Sequence, residues 1–182
     1  AWCLEIVREL AHEHNLHFKM AVIGAELEKE ALEAALASEQ ITVLEPGQPL
    51  TMEELEASQH IVAQMGVEPF IEALQAGAEV IIAGRAYDPA VFAALPILKG
   101  FDPGLALHMG KILECASIAA TPGSGSDCML GTLRKDHFIL EPLNPVRKCT
   151  TTSVAAHTLY EKTNPYLLPG PGGILDLKEC KF

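Results

Sequence analysis

The 182-residue chain has no C-x-x-C pair, no excess of basic residues, and no apolar run of the roughly 18 residues that a membrane-spanning helix needs. Its five cysteines, Cys3, Cys115, Cys128, Cys149 and Cys180, are odd in number and widely spaced. Neither a disulfide framework nor a structural zinc site is indicated by that pattern, which points to a reducing, cytoplasmic compartment. With 13 Lys and Arg against 24 Asp and Glu the formal net charge is −11. No broad basic surface is therefore available for a nucleic-acid backbone or an anionic membrane. Internal repeats and low-complexity tracts are absent. So is the basic segment followed by an apolar one that opens a signal peptide. The sequence starts at Ala1-Trp2-Cys3 with a helical pattern already under way, and we read it as an internal portion of a longer protein.

What is present is apolar material for a core. Hydrophobic residues make up 49% of the chain and charged ones 20%, too apolar a balance for disorder. At about 150 residues per domain the length allows one domain and part of another. The charge is uneven. Residues 1–60 hold 3 Lys and Arg against 12 Asp and Glu, whereas residues 84–182 hold 10 against 9. The acidic front reads as solvated helix surface, and the balanced, Gly- and Pro-rich back reads as the place for function.

Periodicity divides the chain into α/β units. Trp2–His14 places Leu4, Ile6, Val7, Leu10 and Ala11 at spacings close to one helical face. Phe18–Ile23 has the length of a buried parallel strand, and Glu26–Ser38 is rich in strong helix formers. Ile41–Leu44 is a second strand candidate, and Thr51 with Glu54 spells a capping box. A helix over Val67–Ala76 then leads to the clearest strand, Ala78–Ala83. Beyond it we expect a helix over His108–Ala120, a hairpin of Cys128–Arg134 with Phe138–Leu140, and a short helix over Ser153–Lys162 capped by Thr152 or Ser153. The expected fold class is α/β, a mostly parallel sheet flanked by helices with a late β-hairpin. Residues 1–163 form the domain, and residues 164–182 form a Pro- and Gly-rich loop and tail.

Three segments could carry chemistry. Gly84-Arg85-Ala86-Tyr87-Asp88-Pro89 follows the clearest strand, where ligands of open α/β sheets bind. Arg85 there can grip a carboxylate or phosphate, and Asp88 before Pro89 can cap the next helix. A structural Arg85–Asp88 ion pair is the alternative. Glu114-Cys115 precedes Ser124-Gly125-Ser126-Asp127, whose N–H groups and hydroxyls suit an anion or a developing oxyanion. Neither the Walker spacing nor G-x-G-x-x-G is present, so this is no nucleotide loop by spelling. Cys115 is either a nucleophile or a small buried residue, and Glu114 either a proton-transfer group or a solvated one. Arg147 lies in a polar run ahead of a helix start, a place that attracts anions or is simply capped. Among the histidines only His108 is near these segments, as a base or a satisfied side chain. His12 and His14 point to different faces, and neither a metal nor a cofactor is predicted.

Gly84-Arg85-Ala86-Tyr87-Asp88-Pro89-Ala90 after Ala76-Gly77-Ala78-Glu79-Val80-Ile81-Ile82, followed by Gly110-Lys111-Ile112-Leu113-Glu114-Cys115-Ala116, resembles the acyclic terpene utilisation AtuA-like family. The likeness runs over most of the chain and marks Gly84, Arg85, Asp88, Pro89, Glu114 and Cys115 as family-type positions. Ser117–Pro122 departs from the small residues expected after the Glu-Cys pair. The resemblance implies a role in degrading branched acyl compounds. The reading is then a small anionic carboxylate or acyl-CoA substrate, with Arg85, Asp88, Ser124, Gly125, Ser126, Asp127 and Arg147 binding. Glu114, Cys115 and His108 would be catalytic in a lyase or hydratase step. The rival readings are a non-catalytic binding or assembly subunit, alone or as a homo-oligomer, and a cysteine hydrolase.

Overall fold

A computed structural model describes residues 2–43, 47–162 and 164–182. The front part runs α1 (Trp2–Glu13), β1 (Met20–Ile23), α2 (Lys29–Ala37), α3 (Met52–Ala57), α4 (Glu68–Gln75) and β2 (Val80–Ala83). Next come α5 (Asp88–Leu98), α6 (Pro103–Leu113) and a single 3-10 turn at Ala116–Ile118. The back part holds β3 (Ala120–Thr121), β4 (Met129–Leu133), β5 (Phe138–Pro142), β6 (Lys148–Cys149), α7 (Thr151–His157), β7 (Leu167–Gly170) and β8 (Gly173–Asp176). Among the described residues no helix is long and apolar enough to cross a membrane.

The expected mostly parallel sheet is overturned. Among the described residues the strands form four two-stranded sheets, and of these only β1 with β2 is parallel, in the register Met20 opposite Val80 through Ile23 opposite Ala83. β3 with β6, β4 with β5 and β7 with β8 are all antiparallel. A parallel pair needs a long crossover, and only α2 to α4 supply one. After β2 the next apolar segments are helical, and the later strands are short and turn back on themselves. The β4–β5 hairpin lies where the sequence places one. Residues 164–173 are not a plain loop: Leu167–Gly170 pairs with Gly173–Asp176, and Pro171-Gly172, with Gly172 at φ +85°, closes the turn between them. Ile41, Thr42 and Val43 form no strand, and Leu44 lies outside the described residues.

Local signals account for several element ends. The Thr51 hydroxyl accepts from Glu54 N while the Glu54 carboxylate accepts from Thr51 N, the reciprocal capping box read from sequence. Helix α6 starts earlier than its apolar stripe indicates, because Asp102 caps it by accepting from Leu105 N at 2.8 Å and Pro103 follows. α7 is capped by Thr150 rather than Thr152 or Ser153.

Small residues build the core between α5 and α6. Ala90, Ala93, Ala94 and Ala106 are buried, and a Cβ on Gly110 would lie 2.7 Å from the Pro89 carbonyl oxygen. The two helix backbones touch because α6 has no side chain there. A second cluster joins Phe70, Ala86 and Ala94 to Ile23, Met65 and Ile81, so α4 and α5 pack on the parallel pair.

Candidate functional site

The end of α6 organises the site. The helix stops at Leu113, and Cys115 turns away at φ −127°, ψ 40° into the 3-10 turn. Glu114 and Cys115 thus sit at the helix exit and not within a helix running to Ala120. One turn back, the Lys111 ammonium donates to the Glu114 carboxylate, and both side chains are buried, 5% and 8% exposed. A charge taken from water persists only with its partner and good hydrogen bonds, so each of these two groups holds the other in place.

Glu114 and Cys115 line a cavity of about 440 Å³ together with Gly125, Ser126 and Asp127. Five of the sequence-derived residues therefore meet at one pocket. The Asp127 part of that lining is itself fixed. Asp127 accepts from Asn144 Nδ2 at 3.0 Å and from Cys128 N at 2.9 Å, and Arg147 Nη1 lies 3.3 Å away. These contacts, the Asn144 bond first, hold the Asp127 carboxyl below its ordinary range. Ser124 stays off the pocket wall, its hydroxyl accepting from Ser126 N at 3.3 Å.

The other candidates lie elsewhere. Arg147 is buried and donates Nε to the Pro122 carbonyl at 2.7 Å and Nη2 to the carbonyls of Ala120, at 3.2 Å, and Ser117. Its fork is directed at backbone and at Asp127, which shapes the loop. Arg85 and Asp88 pair with each other at 2.5 Å, both half exposed, and neither lines the Glu114 pocket. Asp88 is the first residue of α5 and not its cap, which is Tyr87. The space beside Gly84 is filled by Ala25, whose Cβ would be 2.7 Å from an added one, so the glycine admits the chain itself.

His108 is buried on a different side of α6, on the wall of a larger cavity of about 660 Å³ with Phe138, Phe182, Cys149 and Cys180. Phe138 and Phe182 meet its ring edge-on at 5.1 and 5.9 Å, and Cys180 Sγ is 3.8 Å from Nδ1. Burial first, and then the charge of His157, lower its pKa to about 4. His108 and Glu114 do not share a pocket. Among the described residues no group of three or more His, Cys, Asp or Glu is arranged to hold a metal ion.

Lys111 was absent from the sequence-derived set, and so were three residues that feel the charge of the pair: Tyr160, Tyr87 and Lys162. The Tyr160 ring lies 5.7 Å from Lys111 Nζ, and a hydrogen bond to Cys115 pushes its hydroxyl pKa up. Burial, then Glu114 and Asp88, raise Tyr87. Lys111 was legible through its i, i+3 spacing to Glu114. Tyr160 and Lys162 come from more than 40 residues further on, and no local pattern announces them.

Neither a curated protein nor a solved structure matches this chain. Residues 1–128 match a family described as Acyclic terpene utilisation family protein AtuA. The matched stretch holds the Arg85 to Pro89 run, the Lys111–Glu114 pair, Cys115 and the glycine loop through Asp127, and it ends before Arg147, Tyr160 and Lys162. With more than two thirds of its residues inside the match, this chain belongs to the acyclic terpene utilisation AtuA family.

Proposed function

We propose that the chain is an enzyme of terpene breakdown whose pocket at the α6 exit takes the acyl part of a branched carboxylate or acyl-CoA, and that Glu114 moves a proton there. The observation that carries this reading is a buried carboxylate, gripped by a buried ammonium, at the edge of a cavity faced by a loop of Gly and Ser. Proton removal next to a carbonyl needs a positioned base and donors for the oxygen that gains charge. Glu114 is the base, and the backbone N–H groups of Gly125 and Asp127 are the donors. The reaction class is a lyase or hydratase step, and Cys115 is a neighbouring donor rather than the nucleophile.

The test is deuterium incorporation next to the carbonyl of a branched acyl-CoA thioester in D2O, followed by mass spectrometry. We expect Glu114→Gln to lower incorporation 100-fold or more, the usual scale for losing a positioned base. Incorporation unchanged in that variant would remove Glu114 from the chemistry. A second reading, a subunit that binds without turnover, is favoured by α1, which buries none of its residues and leaves Trp2 78% exposed. Absence of incorporation by the natural chain together with binding of the thioester would favour that reading.

A further inference from the structure

The cavity of about 660 Å³ beside His108 shares no lining residue with the Glu114 pocket, and the proton transfer makes no use of it. Four parts of the chain line it: α6 with Leu105 and His108, β5 with Phe138, α7 with Val154, and residues 179–182 with Cys180 and Phe182. Gly131 lets β4 lie against α6, since a Cβ there would be 2.8 Å from Leu113 Cδ1. Its hairpin partner β5 then carries Phe138 to the His108 ring, with 5.1 Å between ring centres. The C-terminal residues are tied down through Leu177, which is buried and donates its N–H to the Tyr166 carbonyl at 2.7 Å.

Among the described residues lining this cavity, charge is confined to exposed positions. Asp136, His137, Glu179 and Lys181 are all exposed, Asp136 is bonded to His137 at 2.8 Å, and the two carboxylates outnumber the lysine. Burial pushes the Cys149 and Cys180 thiols up and lowers His108 to about 4, so these three groups are uncharged at neutral pH. A carboxylate or phosphate placed against them would lose water without gaining a cation, a cost that an uncharged chain escapes. A cavity of this size with mostly apolar walls and few polar groups is the usual form of a small-molecule site. One of those polar groups is incomplete. His108 is 4% exposed, its Nδ1 lies 3.8 Å from Cys180 Sγ, and its Nε2 has no hydrogen-bond partner among the described residues. An unpaired ring nitrogen at that depth is costly, and an oxygen brought by a ligand would satisfy it. A hydroxyl both donates and accepts, so it fits Nε2 in either tautomer of the ring, whereas a carbonyl fits only one.

We propose that this cavity is a second binding site, for an uncharged molecule with an aliphatic chain and one hydroxyl group. The chain lies against Phe138, Val154 and Phe182, and the hydroxyl is bonded to His108 Nε2. The site is separate from the proton transfer assigned to Glu114, and the failure of either leaves the other standing.

The experiment is calorimetric titration of the full chain at pH 7.5 with 1-octanol and, separately, with octanoate, which keeps the chain length and adds a charge. We expect 1-octanol to bind at least tenfold tighter than octanoate. His108→Leu should weaken 1-octanol tenfold or more, and His108→Gln, which keeps a donor and an acceptor, should hold it within about threefold. Val154→Phe, which adds bulk to the cavity from α7, should also weaken it tenfold or more and decides the matter if His108→Leu does not fold. No binding of 1-octanol, octanoate bound as tightly, undiminished binding by the folded His108→Leu or Val154→Phe variant, or an equal loss in His108→Gln and His108→Leu overturns the inference.

Discussion

Helix α1 gathers its apolar residues on one face more sharply than α6, which is the more apolar helix throughout, yet α1 buries none of its residues and α6 buries six of eleven. The difference lies in their neighbours. α6 meets an alanine-rich α5 and has Gly110 where the backbones converge, so its stripe is covered on contact. α1 has no such partner among the described residues, and Ile6 and Leu10 remain 39% and 47% exposed. Periodicity states which face of a helix can be buried; small residues on both sides decide whether it is. The same contrast extends to charge. The front of the chain carries its acids on solvated helix surface, whereas α6 takes a lysine and a glutamate inside.

The sharpest way to break this contrast is to leave one buried charge alone. Lys111→Met strands the Glu114 carboxylate, and we expect a loss of about 3–5 kcal/mol in urea unfolding. Next comes the pH dependence of α6. His108 has its pKa lowered from 6.5 to about 4 by burial, so the folded chain binds this proton less readily than the unfolded one. The stability this provides is complete above pH 6.5 and is lost as pH falls toward 4. It amounts to about 3 kcal/mol, and His108→Leu should flatten the urea midpoint across that window. His157, also lowered chiefly by burial, acts in the same direction.

Smaller effects sharpen the comparison. Gly110→Ala puts a Cβ 2.7 Å from the Pro89 carbonyl oxygen, backbone that cannot swing aside, and should cost about 1–3 kcal/mol. By contrast, Leu10→Gln on α1 and Arg85→Gln in the exposed pair with Asp88 should each shift stability by no more than about 0.5 kcal/mol. A large loss from Leu10→Gln would mean that α1 is covered in solution.

Much of the local structure was legible in the residues. The capping box at Thr51, the strand before Gly84, and the hairpin around Lys135-Asp136-His137 follow from spacing alone. What failed was pairing. A short apolar run such as Phe18–Ile23 states that a strand exists, but not how many partners it finds, and here it finds one. Pro171-Gly172 was readable as a turn, yet Pro169 and Gly170 within the flanking run disguised it as loop. The pocket was partly legible, because Glu114, Cys115 and the Gly125 to Asp127 loop lie within 14 residues of one another. Tyr160 comes to Lys111 through the contact of His157 at the end of α7 with the Cys115 carbonyl, a tertiary contact without a local signature.

The most direct test of the account is deuterium incorporation by the double variant Lys111→Met/Glu114→Leu. Replacing a whole buried ion pair by apolar groups of similar volume leaves stability unchanged or improved, so this variant separates chemistry from folding. We expect a urea midpoint at or above that of the natural chain and no incorporation next to the acyl carbonyl. Incorporation at the natural rate in the folded double variant would show that the pair only packs the end of α6, and would contradict the function assigned to Glu114.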